Sequence, residues 1–79
     1  MEKEQILSEV QTVFRDILDN ENIVLNAATT ANEVEGWDSL TYIQLIVAIE
    51  KHFKIKFTSK EIFSWENVGE MVDRIQGKL

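Results

Sequence analysis

Apolar residues at three- and four-residue spacing open the chain. Ile6, Leu7, Val10, Val13, Phe14, Ile17 and Leu18 fall on one stripe and predict a helix from about Lys3 to Leu18. Asp19-Asn20-Glu21-Asn22 ends it, because these short polar side chains compete for backbone hydrogen bonds. Residues 20–38 then read as a long connection with one apolar knot, Ile23-Val24-Leu25, expected to tuck into the core. A connection of that length in so small a chain calls for a structural or functional reason.

Gly36 allows a turn, and Asp38 or Ser39 can cap a second helix over about Ser39 to Phe53. This helix is apolar nearly all round. Its polar positions, Thr41, Gln44, Ala48 and Lys51, predict one narrow exposed stripe. Leu40, Ile43 and Val47 lie to one side, and Tyr42, Leu45, Ile46, Ile49 and Phe53 to the other. So much apolar surface marks a helix that is central to the domain or lines a cavity. Thr58 with Glu61 reads as a capping box opening a short helix through Phe63. Asn67 with Glu70 opens a last helix expected to bury Val68, Met71, Val72, Ile75 and Leu79. No proline and no alternating pattern interrupt this reading. The expected fold is all-α: three longer helices and one short one in a bundle, with a long first loop.

Composition narrows the chemistry more than the fold. At 79 residues the expectation is one domain over 1–79. The chain has no cysteine and a single histidine, His52, which removes disulfide frameworks and zinc clusters. No apolar run reaches membrane-spanning length, and Met1-Glu2-Lys3-Glu4 does not resemble a secretory leader, so a cytoplasmic monomer is expected. The net charge of −6 is uneven. Residues 1–38 hold nine acids against Lys3 and Arg15, whereas residues 39–79 hold five acids against six bases. Such a chain is repelled by nucleic acid and by anionic lipid, so neither is an expected partner.

One candidate for chemistry remains, Ser39 in Trp37-Asp38-Ser39-Leu40, where a polar loop becomes a helix. A serine there serves most simply as a helix cap. A helix N-terminus also suits a negatively charged group. A hydrolase reading with His52 as base fails on geometry: thirteen residues along one helix place the two roughly 20 Å apart. Glu33 and Glu35 have no identifiable acid-base partner and read as a solvated face, and Trp65 reads as a core or rim aromatic.

Trp37-Asp38-Ser39-Leu40 followed by Ile43, Leu45, Ile46, Ile49, Glu50 and Phe53 resembles the acyl carrier protein family, whose core pattern is Asp-Ser-Leu and then an apolar helix closing on an acid and a phenylalanine. Length, acidity, helix order, long first loop and short third helix extend the resemblance over nearly the whole chain. It implies a carrier with no catalytic activity of its own. Ser39 would carry 4′-phosphopantetheine, transferred from coenzyme A by a separate Mg²⁺-dependent phosphopantetheinyl transferase, with Asp38 contributing to recognition. The arm would hold acyl or related groups as thioesters and deliver them to acyl-loading and acyl-transfer enzymes. The implied acyl pocket is lined by Leu40, Ile43, Val47, Ile62 and Phe63, and the implied docking residues are Trp37, Thr41, Tyr42 and Gln44.

The chain departs from the fatty-acid carriers, which place acids just after Asp-Ser-Leu and again one turn later. Here those positions are Thr41 and Gln44, and Glu50-Lys51-His52, Lys54 and Lys56 follow. The departure favours a dedicated carrier of a polyketide, nonribosomal peptide, lipid or surface-polysaccharide system. An aminoacyl, D-alanyl or peptidyl carrier is the alternative, and an unmodified helical interaction module a more distant one.

Overall fold

The computed structural model describes residues 1–79 as four α-helices and one 3-10 turn, with no strand. Helix α1 spans Lys3–Ile17, α2 Ser39–Phe53, α3 Ser59–Ile62 and α4 Val68–Lys78; the 3-10 turn, Ala31–Glu33, lies in the long first loop. Helices α1, α2 and α4 enclose the core, in which Ile6, Val10, Phe14, Leu45, Ile49, Val68, Met71 and Ile75 are the largest fully buried side chains.

The ends of α1 and α2 share one device. Asp19 and Lys54 adopt left-handed backbone at φ 51° and 58°. The next amide then folds back, Asn20 N–H onto the Arg15 carbonyl and Ile55 N–H onto the Glu50 carbonyl, each at 3.0 Å. This satisfies carbonyls of the last turn that would otherwise be orphaned. Thr58 and Glu61 form the reciprocal capping box that opens α3. At α4 Asn67 Oδ1 accepts from Glu70 N–H at 2.9 Å, while the Glu70 carboxylate reaches Glu66 N–H rather than Asn67.

The long loop is fixed by side chains of α1 at one end and by α4 at the other. Arg15 Nε donates to the Ile23 carbonyl at 2.8 Å, and Gln11 Oε1 accepts from Leu25 N–H at 2.9 Å. Ile23 and Leu25 are buried, and Val24 between them is exposed. Further along, the carbonyls of Thr29 and Ala27 accept from Val68 N–H at 2.9 Å and Gly69 N–H at 2.8 Å, two amides of the first turn of α4 that lack intrahelical partners. The approach is close enough to require glycine: a Cβ on Gly69 would lie 2.7 Å from the Ala27 carbonyl oxygen. Gly36 answers a different need, turning the chain at φ 89° just before α2.

Two sequence expectations are corrected. The outward stripe of α2 is Leu40, Ile43, Gln44, Val47 and Lys51, whereas Ala48 is half-buried against the core and Thr41 is absorbed into the helix cap. A helix apolar nearly all round has no periodic signal to select its inner face; packing of Leu45 and Ile49 selected it. Leu79 ends exposed, one residue beyond α4 and past the core.

Two substitutions test this packing by urea denaturation. Ile49→Ala is expected to cost about 2–5 kcal/mol. Gly69→Ala is expected to cost about 1–3 kcal/mol although it adds one methyl, because the loop backbone must retreat from α4.

Candidate functional site

Ser39 is the first residue of α2, and its side chain is exposed. Asp38 places it there. The Asp38 carboxylate accepts from Leu40 N–H and Thr41 N–H, both at 2.9 Å, and the Thr41 hydroxyl accepts from Asp38 N–H at 2.9 Å. The same hydroxyl donates to the Gly36 carbonyl, tying the glycine turn to the helix head. Acceptance of these amide hydrogen bonds, led by Thr41 N–H, holds the Asp38 carboxyl below its ordinary value; desolvation opposes the shift. The cap modifies the electrostatics expected of a helix N-terminus. Two of the first-turn amides are already taken, and a carboxylate stands beside the serine. An anion on Ser39 therefore has the Ser39 amide and the helix dipole in its favour and Asp38 against it.

Beside Ser39 lies a groove of about 300 Å³ between the head of α2, α3 and the start of α4. Trp37, Tyr42, Phe63 and Trp65 supply aromatic walls, Ile62 an aliphatic one, and Ser39, Asp38, Glu66 and Asn67 the polar edge. Trp37 is half-buried and meets Phe14 edge-on at 4.9 Å, so the groove wall rests directly on the core. The Tyr42 hydroxyl donates to the Ile62 carbonyl and joins α2 to α3. Burial pushes the Tyr42 hydroxyl up to about 12, against an opposing influence of the Trp65 indole. That indole N–H is itself buried with no partner in hydrogen-bonding geometry, although it lies close enough to affect Tyr42. Trp65 meets Phe57 edge-on at 5.2 Å, and Lys78 bridges Glu61 at 3.0 Å, so the four-residue α3 is pinned by side chains from both flanks.

Of the residues assigned to an acyl pocket, Ile62 and Phe63 reach this groove. Leu40, Ile43 and Val47 do not; they face outward with exposures of 75%, 52% and 42%. Among the expected docking residues, Gln44 is exposed, Thr41 is engaged in the cap, and Trp37 and Tyr42 are half-buried in the groove wall. Trp65 and Asn67 belong to the groove and were not singled out for it. Their signal in the sequence was position, just before the start of α4 and hence beside whatever faces the head of α2. His52 lies at the far end of α2, paired with Glu9 at 2.7 Å.

Residues 8–75 match the family model described as the phosphopantetheine attachment site. The chain belongs to that family. It is a carrier rather than a catalyst, and its prosthetic group is covalently attached phosphopantetheine. The fold agrees with a solved relative, the solution structure of the holo acyl carrier protein from Geobacter metallireducens. That protein is 40% identical, with a TM-score of 0.86 over 92% of this chain and 84% of that one. The residues at the head of α2 fit the group: an exposed hydroxyl for the phosphodiester, and an open groove of apolar walls and polar edges beside it.

The single tyrosine gives the site an optical handle. Ultraviolet titration is expected to place the Tyr42 midpoint near 12, above the usual value of about 10. Because the folded value is raised, the stability contributed by neutral Tyr42 is present below the unfolded value and lost as pH climbs through the folded one. Asp38 has the opposite sign. Its contribution is present above its unfolded value of about 3.9 and lost as pH falls through the lower folded value. In acid denaturation Asp38→Asn is therefore expected to show a shallower loss of stability than wild type, with the slope due to Glu61 remaining.

Proposed function

We infer that Ser39 is the attachment point of phosphopantetheine and that this protein tethers acyl or related intermediates and delivers them to partner enzymes of a biosynthetic pathway. One observation carries the assignment: an exposed serine hydroxyl at the head of α2, opening onto an aromatic groove, in a chain of the phosphopantetheine-attachment family. When bound, the arm supplies the thiol that a cysteine-free chain lacks and holds cargo as a thioester. The chain's own residues present the hydroxyl and shelter the arm. Asp38 holds the first turn rigid, so the hydroxyl is displayed at a fixed position to an incoming transferase. Trp37, Tyr42, Ile62 and Phe63 offer apolar surface to the arm and to the start of its cargo.

The groove is open to solvent rather than a closed tunnel, which suits short or polar cargo as well as chains that stay partly exposed. That openness favours aminoacyl or D-alanyl cargo as the second reading. No helix is long and apolar enough to cross a membrane, and we place the carrier in the cytoplasm, as a monomer that meets its enzymes by diffusion.

Intact-mass measurement after incubation with coenzyme A, Mg²⁺ and a broad-specificity phosphopantetheinyl transferase tests the assignment. Wild type is expected to gain one phosphopantetheine and Ser39→Ala none. Ser39→Ala is expected to change stability by less than about 1 kcal/mol, because Asp38 retains the cap. A Ser39→Ala variant that gained the arm would overturn the attachment site. A wild type left unmodified by a transferase active on another carrier would overturn the function.

A further inference from the structure

The groove beside Ser39 combines aromatic walls with charge of a single sign. The rings of Trp37 and Tyr42 lie 6.2 Å apart at a tilt of 34° and form a continuous wall, backed by the core through Phe14. Phe63 and Trp65 add two more aromatic faces, Phe63 at the rim with 76% of its surface exposed. The charged residues of the lining are Asp38 and Glu66, and no base is among them. Both amides capped by Asp38 fall on Oδ1, so Oδ2 accepts no hydrogen bond. Glu66 is exposed, and its carboxylate forms no ion pair. Lys60, the one base of α3, lies outside the lining, and Lys78 is engaged with Glu61. At about 300 Å³ the groove is at the small end of ligand sites.

Building on the carrier reading, we propose that this groove selects cargo by charge: it receives a short aminoacyl group through its ammonium, in preference to a neutral acyl group of the same length and against a carboxylated one. The faces of aromatic rings are the negative side of their quadrupole and attract an organic cation. The carboxylates of Asp38 and Glu66 act on the same cation from the polar edge, and the low-dielectric walls beside them strengthen their field. A neutral chain of equal length gains the apolar contact alone. A carboxylated chain meets Asp38 and Glu66 as like charges, with no base in the lining to receive it. Because Ser39 itself borders the groove, tethered cargo meets these groups at high effective concentration, so a modest preference is enough to set where the cargo rests.

The test loads the protein, by a broad-specificity transferase, from coenzyme A analogues carrying β-alanyl, butyryl or succinyl groups in amide linkage. These are matched in chain length and end in an ammonium, a methyl or a carboxylate. Intact mass confirms loading. Both tryptophans of the chain line the groove, so acrylamide quenching of their fluorescence and their indole N–H resonances report its occupancy. The β-alanyl form is expected to occupy the groove about two- to fivefold more than the butyryl form. The succinyl form is expected to leave the tryptophans as they are in the protein bearing an unloaded arm. Glu66→Gln and about 1 M salt, where the Debye length is about 3 Å, are each expected to reduce the β-alanyl advantage. Phe63→Leu is expected to reduce it as well, since it keeps apolar surface and removes a ring face. Both side chains are exposed, and circular dichroism checks that the variants fold. Shielding of the tryptophans by butyryl or succinyl equal to that by β-alanyl would overturn the charge selection. A β-alanyl advantage that persists unchanged in Glu66→Gln and in Phe63→Leu would overturn its assignment to this groove. Either result leaves the carrier reading intact, because the arm has then been attached; a wild type that accepts no arm from any analogue defeats both.

Discussion

The helix cap made by Asp38 is the interaction on which the functional end of this protein depends. By accepting from the amides of Leu40 and Thr41, it fixes the residue at which α2 begins and so makes Ser39 the first helical residue rather than a loop residue. The Thr41 hydroxyl returns the bond and reaches on to the Gly36 carbonyl, so the turn, the cap and the first helical turn form one rigid unit. The serine hydroxyl is consequently left without a structural task. Had Ser39 been the cap, its oxygen would be engaged with backbone amides and modification would cost the helix its start. Placing the cap one residue earlier leaves the Ser39 hydroxyl free of the helix-starting role.

A second constraint shapes the groove. α3 has only four residues, too short to be stable through its own hydrogen bonds. It stays in place through the Tyr42 hydroxyl on the Ile62 carbonyl, the Lys78–Glu61 pair and its flanking aromatics. The opposite wall depends on the long loop, whose position over the head of α4 requires a glycine at residue 69. That loop is the reason for the length of the first connection: it satisfies the opening amides of α4, buries Ile23, Leu25 and Val34, and delivers Trp37 to the groove.

Much of this architecture was legible in the sequence, because strong periodicity and short-range capping chemistry act within a few residues of each other. The bounds of α1 and α2, the Thr58–Glu61 box and the Gly36 turn follow from such local rules. What was not legible depends on non-local choices. Gly69 looks like an ordinary helix glycine until Ala27 arrives from forty-two residues away. Thr41 looks like a neutral surface substitution until its hydroxyl closes the cap. Leu40, Ile43 and Val47, expected in a pocket, lie outside the groove, and the sequence could not show it because α2 is apolar on nearly every side. Nothing within the helix distinguishes a face covered by α1 and α4 from one left in water, whereas Ile62 and Phe63, tied to the short helix opposite Ser39, had only one wall to join.

The outward apolar stripe is therefore not a by-product of core formation. Leu45, Ile49, Phe53 and Ile46 already give α2 a complete inner face, and replacing Leu40 or Ile43 by a polar residue would remove little buried area. An exposed row of this kind carries a liability for self-association, which the net charge of −6 counteracts through mutual repulsion between copies. Ser39 lies at the border of the two surfaces, reaching the aromatic groove on one side and adjoining Leu40 on the other. An arm attached there would have the groove directly beside it. Because groove and stripe lie on different flanks of α2, the residues that shape one surface can change without altering the other.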